Sequence, residues 1–134
     1  MLDVGAGSGY STAVLARLAH DVVGLEADPD LASIATGMLR TFGVNNAEIM
    51  LGDFDVVLSG SFDVILVEGA LDEEPVDLVK HLRPGGRLVA LVGRGRSAMA
   101  KVYVNAPGGV TVRSEFNATL PVLARRQPAA EFVF

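Results

Sequence analysis

Short apolar runs alternate with stretches in which apolar residues recur every three or four positions, and this alternation continues through the first two-thirds of the chain. Leu2-Asp3-Val4 reads as the end of a strand. Ser11 to Ala19 reads as a helix with Val14, Leu15 and Leu18 turned inward. Val22 to Glu26 is a second strand. Asp28 is a good N-cap, and Pro29 falls at the first helical position, where its missing N–H costs nothing. Leu31, Ile34, Ala35, Met38, Leu39 and Phe42 then repeat at helical spacing until Gly43 stops the helix. Glu48 to Leu51 is a third strand, and Phe62 to Val67, almost wholly apolar, a fourth of the central parallel kind. Pro75 to Leu82 is a helix ended by Arg83-Pro84-Gly85-Gly86, and Arg87 to Val92 is a fifth strand.

After Gly95 the pattern changes. Ala100 to Asn105 and Val110 to Phe116 alternate as strands about the turn Ala106-Pro107-Gly108-Gly109, which predicts an antiparallel hairpin. The last residues, Phe132-Val133-Phe134, read as a short edge strand. The expected fold is α/β: a Rossmann-like, doubly wound, mostly parallel sheet with helices on both faces and a C-terminal antiparallel hairpin. The chain reads as one domain, with a core over residues 1–95 and the hairpin and edge segment over 96–134.

Composition narrows the function classes. Half of the 134 residues are hydrophobic, so a true core is expected. The net charge of −5, without a long Lys/Arg run, argues against a nucleic-acid partner. Arg94, Arg96, Arg125 and Arg126 read as solvated loop charges. There is no cysteine, which excludes thiolate zinc sites and a cysteine nucleophile. No metal site is predicted. No apolar run reaches the roughly 20 residues that span a bilayer, and no signal-peptide pattern opens the chain, so a cytoplasmic protein without a membrane partner is expected.

The chemistry gathers at the ends of the first strands. Asp3-Val4-Gly5-Ala6-Gly7-Ser8-Gly9-Tyr10 places a Gly-x-Gly-x-Gly loop between a strand and a helix, where glycine permits a tight turn and close backbone approach to a ligand. Nicotinamide-binding folds use a related loop, but there the third glycine comes three residues after the second, not two. Glu26, followed by Ala27, ends the second strand and can accept both hydroxyls of a ribose. Asp53, between Gly52 and Phe54, ends the third and is placed to meet an adenine edge. Three acids at strand ends beside one glycine loop point to the crevice where open α/β sheets bind ligands.

Leu2 through Leu18, and within it Gly7-Ser8-Gly9-Tyr10-Ser11-Thr12-Ala13-Val14-Leu15-Ala16, resembles the first cofactor motif of the protein-L-isoaspartate O-methyltransferases. Phe62-Asp63-Val64-Ile65-Leu66-Val67 and Leu82-Arg83-Pro84-Gly85-Gly86-Arg87-Leu88-Val89 resemble that family's fourth and fifth strand motifs. The resemblance covers residues 2–93 well and the tail loosely. It implies a class I methyltransferase that carries the methyl of S-adenosylmethionine to the carboxylate of damaged isoaspartyl residues, with a damaged protein or peptide as partner. It also implies that the glycine loop (Gly5, Ala6, Gly7, Ser8, Gly9, with Asp3 and Tyr10 flanking it) holds the methionine part, that Glu26 and Ala27 meet the ribose, that Asp53 and Phe54 meet the adenine, and that Glu68-Gly69-Ala70 borders the reacting methyl. A carboxylate acceptor is ionised at neutral pH and needs no general base, so no catalytic side chain is assigned, and His20 and His81 read as surface or capping residues.

The chain departs from the family in three places. It begins inside the first strand, whereas family members carry a segment before it that contributes to the acceptor site; the expectation is an N-terminal truncation. Only eight residues, Phe54 to Ser61, separate Asp53 from the fourth strand, a shorter loop than usual. The segment after the fourth strand is replaced by Glu68-Gly69-Ala70-Leu71-Asp72-Glu73-Glu74, an acidic run that suits a helix N-terminus and could equally repel an acidic substrate. A methyltransferase with a small-molecule acceptor, a cofactor-binding fragment without turnover and a nicotinamide-dependent enzyme stand as alternatives.

Overall fold

Thirteen residues, Pro29–Thr41, form the longest helix, α2, and its start follows its sequence. Asp28 caps it by accepting from the amides of Asp30 and Leu31 at 2.8 and 3.2 Å, with proline in the first turn. The computed structural model describes residues 1–53 and 59–123. In chain order the elements are β1 (Leu2–Val4), α1 (Tyr10–Leu15), β2 (Val22–Glu26), α2, β3 (Ala47–Leu51), β4 (Phe62–Leu71), α3 (Val76–Val79), β5 (Leu82–Val92), a single 3-10 turn, β6 (Met99–Ala106) and β7 (Gly109–Asn117).

The described strands form one sheet in the order β3-β2-β1-β4-β5-β6-β7. β1 pairs in parallel with both β2 and β4, as do β2 with β3 and β4 with β5. β5–β6 and β6–β7 are antiparallel. The mostly parallel sheet and the hairpin are therefore as the sequence predicts. The chain leaves β1 in one direction through β2 and β3, then returns to β4 on the other side. The strand order thus reverses between β1 and β4, the place where such sheets form a ligand crevice.

Side-chain alternation sorts the two faces. Leu2, Val4, Leu25, Ile65, Val67 and Leu88 share one face and pack with Leu78 of α3 and with Leu82 and Tyr103. Each such leucine contributes roughly 1.5–3 kcal/mol by leaving water. Asp3 and Gly24, paired in register, point the other way, toward α1. A Cβ on Gly24 would stand 2.9 Å from Thr12 Oγ1, so glycine is what lets α1 lie this close to the sheet. Small residues line this face, with Ala6, Ala16, Ala32 and Ala35 all buried.

Several expected elements are corrected. α1 ends at Leu15, not Ala19, because the Asn46 side chain takes the carbonyls of Ala16, Ala19 and His20 at 2.7, 3.2 and 3.0 Å and the chain turns there. Thr12 within the helix and Ala16 just after it, not Val14 and Leu18, are buried; Val14 is 44% and Leu18 80% exposed. In α2 the inward face is Ala32-Ala35-Leu39, while Leu31, Ile34 and Phe42 are exposed. β4 runs four residues past Val67, so Glu68 to Leu71 are strand and not the start of a helix. α3 is only Val76–Val79, since Leu82 already belongs to β5, where it pairs with Phe62. The expected edge strand at Phe132 to Phe134 lies outside the described residues, as do Arg125 and Arg126.

Candidate functional site

The glycine loop leaves β1 by folding back on β2: the amides of Gly5 and Ala6 both donate to the Leu25 carbonyl, at 2.8 and 3.1 Å. Gly5, Gly7 and Gly9 all have positive φ, at 84°, 58° and 89°. At Gly9 the conformation coincides with crowding. A Cβ there would lie 2.9 Å from Ala35 Cβ and 3.0 Å from its Cα, so the N-terminus of α1 rests directly on α2. Gly7 is different, with no atom within 4 Å of where its Cβ would stand, so it faces the open crevice.

Glu26 closes the loop from β2. Its carboxylate is buried, accepting from the Gly7 amide at 2.7 Å and from the Asp28 amide at 3.0 Å. Two backbone donors on one buried carboxylate hold it in place beside the loop. With it stand Ala27, Gly52 and Asp53, the last at the end of β3, around a cavity of about 20 Å³ completed by Val4, Gly5, Leu25 and Leu123. That is room for one water molecule. Phe54 lies outside the described residues.

Asp3 lies deeper, wholly buried. One oxygen, Oδ2, accepts from Thr12 Oγ1 at 2.7 Å and from Ser11 Oγ at 3.2 Å. The other, Oδ1, is buried with no hydrogen-bond partner. Glu68 meets Asp3 from β4. The register places Val67 beside Val4, so Glu68 stands one residue beyond the end of β1. There the ladder to β5 slips: Leu66 pairs with Val89 and Ala70 with Leu91, four residues of advance on β4 against two on β5. Burial, the charge of Asp3 and a hydrogen bond between the two carboxyl groups push Glu68 up to about 7, with the Ser11 hydroxyl pulling the other way.

Asp72 and Glu74 of the acidic run are paired with side chains. Arg94 grips Asp72 through two hydrogen bonds, of 2.6 and 2.9 Å. Glu74 accepts from Lys101 and from the buried Tyr103 hydroxyl, and these two bonds hold its carboxyl below the usual range, Lys101 foremost. Arg94 is thus exposed, as expected of a solvated loop charge, and also paired. His20, exposed, pairs with Asp21, and His81 bonds the Gly60 carbonyl, both away from the crevice.

The structure therefore gathers Asp3, Gly5, Gly7, Glu26, Ala27, Asp53 and Glu68 at one sheet edge. Ala6 is buried beneath the loop, and Ser8 is exposed on it. Tyr10 is not brought in: 73% exposed, it lines a separate groove between α1 and α2 with Val14, Met38 and Phe42. Three contributors escaped sequence reasoning. Ser11 and Thr12 hold Asp3, and their hydroxyls directly after the loop were the available signal. Leu123 had none. It arrives because Pro121 to Leu123 bond both sides of Ala70, with Ala70 N to the Pro121 carbonyl and Leu123 N to the Ala70 carbonyl, each 2.9 Å. Its Cδ1 stands 2.7 Å from where a Gly5 Cβ would be. Among the described residues no cluster of three His, Asp or Glu side chains is arranged to hold a metal, and no helix is long and apolar enough to cross a membrane.

Comparison with known proteins follows the same residues. The protein-L-isoaspartate O-methyltransferase of Nitrobacter winogradskyi is 38% identical over 133 residues, covering 93% of this chain and 61% of its own. That of Methanoregula boonei is 43% identical over 117 residues, covering 86% and 53%. The chain thus spans about three-fifths or less of the length of these relatives. Among solved structures, one protein-L-isoaspartate O-methyltransferase superposes with a TM-score of 0.80 at 23% identity, over 92% of this chain and 41% of that one. Another, from Plasmodium falciparum and bound to S-adenosyl-L-homocysteine, gives 0.78 at 23%, over 93% and 65%; at these identities the likeness is one of fold. The sequence profile of the family described as protein-L-isoaspartate(D-aspartate) O-methyltransferase matches residues 1–125, nearly the whole chain, and the chain belongs to that family.

Proposed function

We propose that the chain is the cofactor-binding core of a methyltransferase that uses S-adenosylmethionine to esterify the carboxylate of isoaspartyl residues, in a cytoplasmic protein-repair role. The observation that carries this reading is the Glu26 carboxylate, buried at the end of β2 beside the glycine loop and held by the Gly7 and Asp28 amides, within a chain of this family. The residues suit the cofactor. Glu26 offers a fixed acceptor for ribose hydroxyls, the Gly7 backbone faces open space, and the orphaned Asp3 oxygen suits a cationic group. In this reading the glycine loop holds the methionine part, Asp53 the adenine edge, and Glu68 to Ala70 border the acceptor side.

The cofactor supplies a methyl group already activated on a positively charged sulfur. The chain's own residues align it. Glu26 and Asp53 fix the nucleoside and the glycine loop the methionine part, β4 and Leu123 form the wall opposite, and the acceptor, an ionised carboxylate, needs no proton removed. Proximity and orientation supply most of the acceleration in such a case.

Incubation with methyl-labelled S-adenosylmethionine and an isoaspartyl peptide tests the reading. Methyl ester on the isoaspartyl peptide, and not on its aspartyl counterpart, is expected. Cofactor binding with turnover only on small carboxylic acids would move the assignment to a small-molecule acceptor. Cofactor binding with no turnover on either would reduce it to a binding core.

A further inference from the structure

Asp3 and Glu68 place two carboxyl groups against each other at the floor of the crevice, and the structure leaves their charge unbalanced. Asp3 is buried, and its Oδ1 lacks a donor. Among the described residues, the groups facing the pair come from two further elements. From α1 come the neutral hydroxyls of Ser11 and Thr12, both on Asp3 Oδ2. From β2 comes Glu26, another carboxylate, already committed to two amides. The nearby cations serve other acids, Arg94 on Asp72 and Lys101 on Glu74. With Asp3 buried, Glu68 partly so and no cation paired with either among the described residues, two adjacent charges are costly, and a proton on Glu68 supplies a donor.

We propose that Glu68 holds a proton toward Asp3 in the free protein, and that a ligand bearing a positive charge takes its place, so that the site exchanges a proton for a cationic ligand. The inference rests on the cofactor reading above, since both the methionine ammonium and the sulfonium of S-adenosylmethionine are cationic. The balance is simple: the O–H bond of the pair breaks, its proton passes to solvent, and the ligand's fixed charge then neutralises the second carboxylate. The upward displacement of Glu68 agrees with this arrangement.

The exchange predicts proton release on binding and an affinity that rises with pH. On the acid side of the pair's titration, affinity should approach a tenfold gain per pH unit, levelling off above it. Calorimetry of S-adenosylhomocysteine binding to the 134-residue chain, in buffers of different ionisation enthalpy between pH 5.5 and 7, reads both quantities. In that range the ligand's own ammonium stays charged, so it contributes no proton. Up to one proton should be released per ligand at the acid end. Glu68→Gln, which carries a permanent donor and cannot lose a proton, should bind without release and with an affinity nearly flat in pH. Infrared difference spectra give a readout independent of that variant's folding: the carboxylic-acid carbonyl band of the free protein should vanish when the ligand binds. Binding without proton release would overturn the exchange alone. Equal release by Glu68→Gln would overturn the assignment to this pair. No binding at any pH would remove the cofactor reading and the exchange with it.

Discussion

The two banks of the crevice solve the same problem by different means. On the β1–β2 bank, Glu26 is satisfied by backbone, the Gly7 and Asp28 amides. On the β4 bank, Asp72 and Glu74 are satisfied by distant side chains, Arg94, Lys101 and Tyr103, drawn from β6 and the segment after β5. Between the banks Asp3 has only the neutral hydroxyls of Ser11 and Thr12, on one of its two oxygens, and the other is left without a donor. Backbone donors are set by local chain geometry and cost little entropy to hold, so that bank is built in advance of a ligand. Long surface side chains gain less, because solvent screens them and ordering them costs entropy. The unbalanced middle is where a ligand's charge has the most to gain.

The largest effects should come from breaking the backbone-built bank. Gly9→Ala adds a methyl against Ala35 Cβ and Cα at a left-handed φ, and while the Met38 methyl can yield, Ala35 cannot. Strain and overpacking together should cost about 2–4 kcal/mol of stability, read by chemical denaturation. A loss below about 1 kcal/mol would mean that α1 and α2 are not seated as described. Glu26→Ala comes next. It strands two amides and removes the proposed ribose acceptor, so S-adenosylhomocysteine affinity should fall by about 1–3 kcal/mol, roughly 5- to 150-fold. Unchanged affinity would separate Glu26 from the ligand altogether.

Much of this bank was legible in the sequence because its signals are local. Asp28-Pro29 announced α2, and Gly5-x-Gly7-x-Gly9 announced a strand-to-helix turn, each within a few residues of what it controls. The helix faces were less so. Val14, Leu18 and Phe42 fit helical periodicity but are exposed, since small residues bring α1 and α2 so close to the sheet that Thr12, Ala16, Ala32 and Ala35 fill the space. The β4 bank was hardly legible. Glu68 to Leu71 read as a helix start because acids suit one, yet parallel pairing with β5 and the return of Pro121 to Leu123 extend the strand. Contacts such as Tyr103 with Glu74 join residues 29 apart, a distance no local pattern spans.

An intermediate effect tests the floor. Thr12→Val keeps the shape but removes the donor on Asp3 Oδ2 and leaves a second buried oxygen poorly served. About 1–3 kcal/mol of stability should be lost, and the loss should shrink in an Asp3→Asn background, where the buried charge is gone; equal losses in both backgrounds would show that the hydroxyl serves packing and not the carboxylate.

The smallest effect belongs to the side-chain-built bank. Tyr103→Phe keeps the buried ring and deletes one of the two donors on Glu74, at a cost of about 1 kcal/mol or less, because Glu74 is largely exposed and retains Lys101. Its pH dependence sharpens the contrast. Glu74 has a folded-state pKa below its ordinary 4.5, so its contribution is present above pH 4.5 and is lost as pH falls through the lowered value. The cost of Tyr103→Phe should therefore shrink in acid. Glu68 behaves in the opposite sense. Its folded-state value, raised from 4.5 to about 7, makes the folded protein hold a proton that the unfolded chain gives up, so stability declines as pH rises between those values. Glu68→Gln should remove that decline, and denaturation midpoints measured from pH 3 to 8 should show the two substitutions acting at opposite ends of the range. A common pH profile for both would mean that Glu68 is compensated just as Glu74 is, and the difference between the middle of the crevice and its outer bank would disappear.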